Sequence, residues 1–161
     1  MIIIGIDPGI ALTGVGVIKA NGNKLTPLYY GAIETHSKTP TPKRLNQLFK
    51  GLQNILRTYK PDMMAIESLF FNKNVKTALT VGHARGVILL SAEQENIPIY
   101  HYTPPEIKLA VCGHGRADKK QVQHMIKTLL KLPTVPKPDD VADGLAIAIC
   151  HSHSYRLKSL T

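Results

Sequence analysis

Residues 2–9 read Ile2-Ile3-Ile4-Gly5-Ile6-Asp7-Pro8-Gly9, and this stretch decides the fold. Apolar, mostly β-branched residues precede Asp7, and Pro8-Gly9 breaks the run directly behind it. The pattern predicts a short buried strand that delivers a carboxylate to its C-terminal tip. Such a carboxylate is not core filler, because buried charge is costly unless it is paired or bound to a cation. Taken alone, Asp7 also fits a turn residue capping local amides. A second strand-like run, Thr13-Gly14-Val15-Gly16-Val17-Ile18, follows at once. Its small residues let backbone or ligand come close to the Asp7 tip.

Asn21-Gly22-Asn23 reads as a hairpin turn into a third strand over about Leu25 to Glu34, so the chain opens with three antiparallel neighbours. After a loop over residues 36–42, a helix is expected from Thr41-Pro42, with Thr41 as N-cap and Pro42 at the first helical position. Leu45, Leu48, Phe49, Leu52, Ile55, Leu56 and Tyr59 form its apolar stripe, and Tyr59-Lys60-Pro61-Asp62 ends it. Met63-Met64-Ala65-Ile66-Glu67 is then a second buried strand that ends in an acid. In open α/β sheets the ligand site lies beyond the carboxyl ends of the strands, although Glu67 also suits a cap for the next helix.

Phe70 and Phe71 stand beside Lys73, an arrangement suited to stacking an unpaired base or to packing. A long helix is expected from Val75 to Asn96, where Gly82, Ala84 and Gly86 permit close approach, within the subunit or across a dimer. Residues 97–102 read as a last strand, weakened at Pro98. A helix opened by Thr103-Pro104-Pro105-Glu106 runs through Val111. Residues 113–116 make a basic connection, and Asp118 caps a helix that begins with Lys119 and Lys120. Cations at a helix N-terminus oppose the macrodipole, whereas lysines and backbone amides together suit a phosphate. Lys120 also reads simply as a solvated charge. Pro138 precedes a final helix whose buried side is Val141, Leu145, Ala148 and Ile149. His151 and His153 are expected on its surface.

Asp139 and Asp140 suit the start of that last helix as caps, but Asp143 does not. Asp140 and Asp143 are three apart and share a face, and a shared cation relieves their repulsion. Four acids therefore stand out: Asp7 and Glu67 at strand tips, Asp140 and Asp143 on one helical turn. Oxygen-only donors favour a hard cation, Mg²⁺ or Mn²⁺. Four carboxylates can hold two such ions at the roughly 3.5–4 Å separation used for in-line phosphoryl displacement. The formal charge is +9, which points to a polyanionic partner. A basic protein with this acidic site is most simply a metal-dependent nuclease.

The ordered set Gly5-Ile6-Asp7-Pro8-Gly9, Thr13-Gly14-Val15-Gly16, Ile66-Glu67, His83-Ala84-Arg85-Gly86, Gln121-Val122-Gln123-His124-Met125 and Asp140-Val141-Ala142-Asp143-Gly144-Leu145-Ala146-Ile147-Ala148 resembles the bacterial RuvC Holliday junction resolvases over nearly the whole chain. The resemblance implies a ribonuclease-H-like α/β fold, a mixed five-stranded sheet flanked by α-helices. It implies an Mg²⁺-dependent homodimer, two ions per site, that nicks opposing strands of four-way junction DNA alongside the RuvA–RuvB branch-migration complex in recombination and repair. By motif position, Asp7, Glu67, Asp140 and Asp143 match the catalytic, metal-binding acids. Phe70, Lys108 and Lys119 match DNA-binding positions. Asp139 adjoins Asp140, and the spacing to Asp143 selects Asp140.

Residues 1–154 are expected to form one nuclease domain, with 155–161 a basic, frayed tail. Nothing approaches the roughly 20 apolar residues of a membrane span, and residues 1–4 lack the basic start of a signal peptide. Cys112 and Cys150 show no metal-type spacing and read as reduced packing residues, so a cytoplasmic setting is expected. The rivals are a YqgF-type nuclease of the same fold, an actin-like ATPase or sugar kinase, which needs two related domains, and a non-catalytic DNA-binding module whose acids are caps.

Overall fold

The structure is a computed structural model that describes residues 1–68 and 75–158, with side chains described except at 75–77 and 156–158. Five strands and five helices follow in the order β1 (Ile2–Asp7), β2 (Leu12–Asn21), β3 (Lys24–Glu34), α1 (Thr41–Tyr59), β4 (Met63–Glu67), α2 (Val75–Gln94), β5 (Ile99–Tyr102), α3 (Pro104–Cys112), α4 (Lys119–Leu129) and α5 (Asp139–Lys158). The strands form one sheet in the order β3-β2-β1-β4-β5. β1 pairs antiparallel with β2, and β2 with β3, while β4 runs parallel to β1 and to β5. This is the mixed, helix-flanked ribonuclease-H-like sheet expected from the sequence.

β1 is central, and its side chains alternate between two cores. Ile4 and Ile6 meet Leu48, Leu52 and Leu56 of α1 and Ala84 and Ile88 of α2. Ile3 faces the other layer, with Leu145, Ile149 and Ala148 of α5, Ile107 of α3 and Ile126 of α4. A strand buried on both faces reads as a continuous apolar run, which is why residues 2–6 show no polar alternation. Asp62 docks β4 beside it: its carboxylate accepts from the Ile2 amide at 2.6 Å, and its own amide donates to the Ile2 carbonyl at 2.8 Å.

Three local expectations, at the start of α1, at β5 and at His151, are corrected, and α5 is longer than its apolar stripe. Pro40, not Thr41, is the N-cap of α1, with no side-chain cap bond; a proline's fixed φ serves there without one, and Pro42 sits in the second helical position. β5 begins only after Pro98, since proline cannot donate to a sheet ladder. α5 continues through Tyr155 to Lys158, into the segment read as a tail. His151 is fully buried, not on the surface. Its Nδ1 shares a 2.7 Å hydrogen bond with the Tyr102 hydroxyl, and Nε2 lies 3.0 Å from Met63 Sδ. His153 Nδ1 lies 3.0 Å from the Ala110 carbonyl, half-buried. The reason is that α5 is enclosed by the sheet on one side and by α3 and α4 on the other, so it has almost no outer face over residues 141–152. The caps of the two short helices follow the sequence. Thr103 with Glu106 and Asp118 with Gln121 both form complete capping boxes.

Candidate active site

Parallel pairing of β1 and β4 places Asp7 and Glu67 at the same edge of the sheet. The first turn of α5 brings Asp140 and Asp143 to that edge because its backbone lies almost on the sheet. A Cβ on Gly14, which pairs with Asp7 in the β1–β2 ladder, would collide with the Asp140 carbonyl oxygen. A Cβ on Gly16 would come within 2.6 Å of the Leu145 nitrogen, and one on Gly5 within 2.5 Å of the Ala148 nitrogen. The small residues of the first hairpin therefore admit a helix backbone, and that helix carries two acids to the Asp7 tip. The loop after Asp7 is fastened from behind. The Thr13 and Thr35 hydroxyls donate to the Gly9 and Ile10 carbonyls, and Arg44 Nε donates to Thr35 Oγ1 at 2.8 Å.

Asp7 is the centre of the cluster. Burial, and then the charges of Glu67, Asp143 and Asp140 with a hydrogen bond to Asp140, push its carboxyl up to about 8. Burial and Asp143 raise Glu67, against a lowering by Lys108. Burial raises Asp143 as well, opposed by Lys119 and reinforced by Asp140 and Asp139. Asp139 stands apart: hydrogen bonds from Lys137 and Lys119 hold it down at about 2. Its carboxylate meets Lys137 at 2.9 Å and Lys119 at 3.1 Å. The adjacent acids thus divide, Asp139 paired with lysines and Asp140 turned into the acidic cluster.

Beside the cluster lies a cleft of about 260 Å³ lined by Glu67, Asp143, Lys108, Lys119 and the apolar Pro104, Ile107, Val122, Ala146 and Ile147. Lys119 Nζ also reaches to 3.8 Å from Asp143. Its place at a helix N-terminus, unfavourable to the macrodipole, is offset by these acids. Phe70 lies outside the described residues, as do Phe71 and Lys73. Among the described residues, no group of three or more His, Cys, Asp or Glu side chains is gathered closely enough to hold a metal ion. The sequence placed Arg85 in a family motif but gave it no role; its Nη1 donates to the Glu67 carbonyl at 2.7 Å. The further signal was a guanidinium set among small residues in Gly82-His83-Ala84-Arg85-Gly86.

A family profile described as crossover junction endodeoxyribonuclease RuvC matches residues 3–151. The chain belongs to the RuvC family. The crossover junction endodeoxyribonuclease RuvC of Brevibacillus brevis is 57% identical over 152 residues, covering 94% of this chain and 92% of its own length. That of Alkaliphilus oremlandii is 58% identical over 154 residues, 96% of this chain and 94% of its own. Among solved structures, T. thermophilus RuvC in complex with Holliday junction substrate superposes with a TM-score of 0.94 at 33% identity, over 99% of this chain and 97% of that one. As a RuvC-family protein the chain is a structure-specific endonuclease of four-way DNA junctions, which decides against the ATPase, YqgF-type and non-catalytic readings. No helix among the described residues is long and apolar enough to cross a membrane.

Proposed function

We propose that Asp7, Glu67, Asp140 and Asp143 are the catalytic, metal-holding residues, and that with two divalent cations, Mg²⁺ or Mn²⁺ in its place, they hydrolyse one phosphodiester of a four-way junction. One observation carries this reading: Asp7 is surrounded by three other carboxylates and does not ionise readily at neutral pH without a compensating cation. The donor set fits such ions, being all oxygen and all carboxylate. When bound, a pair of these ions activates water and stabilises the leaving oxygen. The chain itself does the rest. The β1 tip and α5 hold the acids in place, and Asp7 keeps a proton until a cation displaces it. Metal affinity, and with it cutting at low Mg²⁺, is therefore expected to rise from about pH 6 to about pH 8 and then level off. Lys108 and Lys119, on the rim of the cleft, are assigned to the phosphates of the cut strand, and Phe70 to a base beside it.

The test is cleavage of a synthetic mobile four-way junction with and without Mg²⁺. Paired symmetric nicks that chelation abolishes support the proposal; binding without nicks at any divalent-ion concentration overturns it.

A junction offers two equivalent strands, and one site cuts one strand, so a two-fold homodimer matches the symmetry of the substrate. Helix α2 offers a face for it. Leu79 is 64% exposed and Leu90 53% exposed, and Gly82 and Gly86 between them have open space where a side chain would stand. Leu90→Glu is expected to convert a dimer to a monomer in sedimentation at micromolar concentration and to reduce paired nicking at least about tenfold, with the melting temperature little changed. A wild-type monomer under the same conditions would rule the interface out. Family membership also supports work beside RuvA–RuvB in the cytoplasm, with residues 1–154 as the nuclease domain.

A further inference from the structure

Among the described residues, Arg85 is placed in a way that the reaction chemistry leaves unexplained. It projects from α2, next to the fully buried Ala84 and one residue before Gly86. The residue is half-buried, and its bond toward Glu67 is the more enclosed of the two it makes. Burying a guanidinium is costly unless its donors are satisfied. The fork has two arms in use. Nη1 donates to the Glu67 carbonyl, and Nη2 donates to His101 Nδ1, each at 2.7 Å. Arginine has no acceptor, so the His101 ring must accept at Nδ1 and is neutral when this bond is made.

The two acceptors lie on neighbouring strands, at the last two rungs of the β4–β5 ladder. Ile66 pairs with His101 and Glu67 with Tyr102. Just beyond, the Ser68 amide donates to the Tyr102 carbonyl at 2.7 Å. β4 is only five residues long, and Glu67 is its final residue, where a strand frays first. An exposed lysine could satisfy a carbonyl, but only a planar fork ties a carbonyl on one strand to a ring on the next in a fixed plane.

We propose that Arg85 is a positioning residue, which clamps the β4 tip to β5 and so fixes the Glu67 carboxylate opposite Asp7. The proposal rests on the reading of Glu67 as a member of the cutting site. It also gives α2, the helix that bears the proposed subunit interface, a direct bond to the strand that bears a catalytic acid.

The test uses the full chain with Arg85→Met, which keeps much of the apolar stem, and His101→Gln, whose amide oxygen restores an acceptor. Amide hydrogen exchange of the metal-free protein is read at Ser68 and, as an internal control, at Ile6 of β1. Arg85→Met is expected to speed exchange at Ser68 at least about tenfold and leave Ile6 unchanged. Single-turnover cutting of the junction is expected to fall about 10–100-fold, the range seen when a supporting group behind a metal ligand is lost. Junction affinity and sedimentation mass should stay within about twofold of wild type. His101→Gln should remain close to wild type on every readout. Unchanged exchange at Ser68, equal acceleration at Ser68 and Ile6, or normal cutting with a loosened tip would each overturn the assignment. If the wild-type protein failed to cut, the nuclease reading of the site would fall, while the exchange comparison would still decide the clamp.

Discussion

Asp7→Asn is expected to lower junction cutting by at least about 10³-fold, or ~4 kcal/mol of transition-state stabilisation, while making the metal-free protein more stable. The two effects have one cause. Asp7 is buried beside three carboxylates, and its carboxyl is pushed from 3.8 to about 8. A group whose folded pKa is raised contributes stability that is full below its unfolded pKa and is lost as pH rises through its folded pKa. Without metal, the wild-type protein should therefore lose stability steadily between about pH 4 and pH 8. Glu67 and Asp143 are shifted the same way and steepen the loss. Asparagine keeps the size and removes the charge. At pH 7.5 the gain should be on the order of 3 kcal/mol, less than the full shift because the surroundings relax. For a chain of this size that is about 5–10 °C in melting temperature. Added Mg²⁺ should raise the melting temperature of the wild type, by mass action, and that of the variant much less. Thermal melts with and without a chelator, beside the junction assay, check all of this. A variant that cuts normally, or that melts lower than wild type without metal, would contradict the site.

Gly14→Ala is expected to cost about 2–3 kcal/mol, the scale of forcing atoms into a packed core, and to reduce cutting about 100-fold or more. The new Cβ would occupy the place of the Asp140 carbonyl oxygen and stand 3.0 Å from the Asp140 Cβ. A side chain can swing away, but a helix backbone cannot. The relief open to the protein is to move the start of α5 off the sheet, and Asp140 and Asp143 move with it. A displacement of ~1 Å at reacting groups is enough for a loss of about 10² in rate. Gly22→Ala is the control. Gly22 has φ +59° and nothing near its missing Cβ, so alanine there should cost about 1 kcal/mol of backbone strain and leave cutting unchanged. Denaturant unfolding and single-turnover cutting of the two variants separate crowding at the site from the loss of a glycine as such.

The β1 strand and its acid tip, the α1 stripe, the helix starts at Thr103 and Asp118, and the spacing that singles out Asp140 and Asp143 were legible in the sequence alone. These are local: strand period, helix period and cap chemistry act within a few residues. The family's ordered motifs supplied the rest of the site. What the sequence left open was what the glycines of the first hairpin were for. The choice between ligand and backbone needed the folded chain, because the partner of Gly14 and Gly16 comes from residues 140–145, far along the chain. His151 was misplaced on the surface for the same reason. A helix shows its own periodicity in sequence, but whether a second layer covers its outer side depends on α3 and α4. Arg85 stood in a family motif without a role because its bond is to a backbone carbonyl, and no side-chain pattern records such an acceptor. The division of the two adjacent acids, Asp139 to its lysines and Asp140 to Asp7, likewise follows from the direction each takes as α5 meets the sheet. Local chemistry chose the residues; the close seat of α5 on a sheet cleared by glycines brings Asp140 and Asp143 to the edge that bears Asp7 and Glu67.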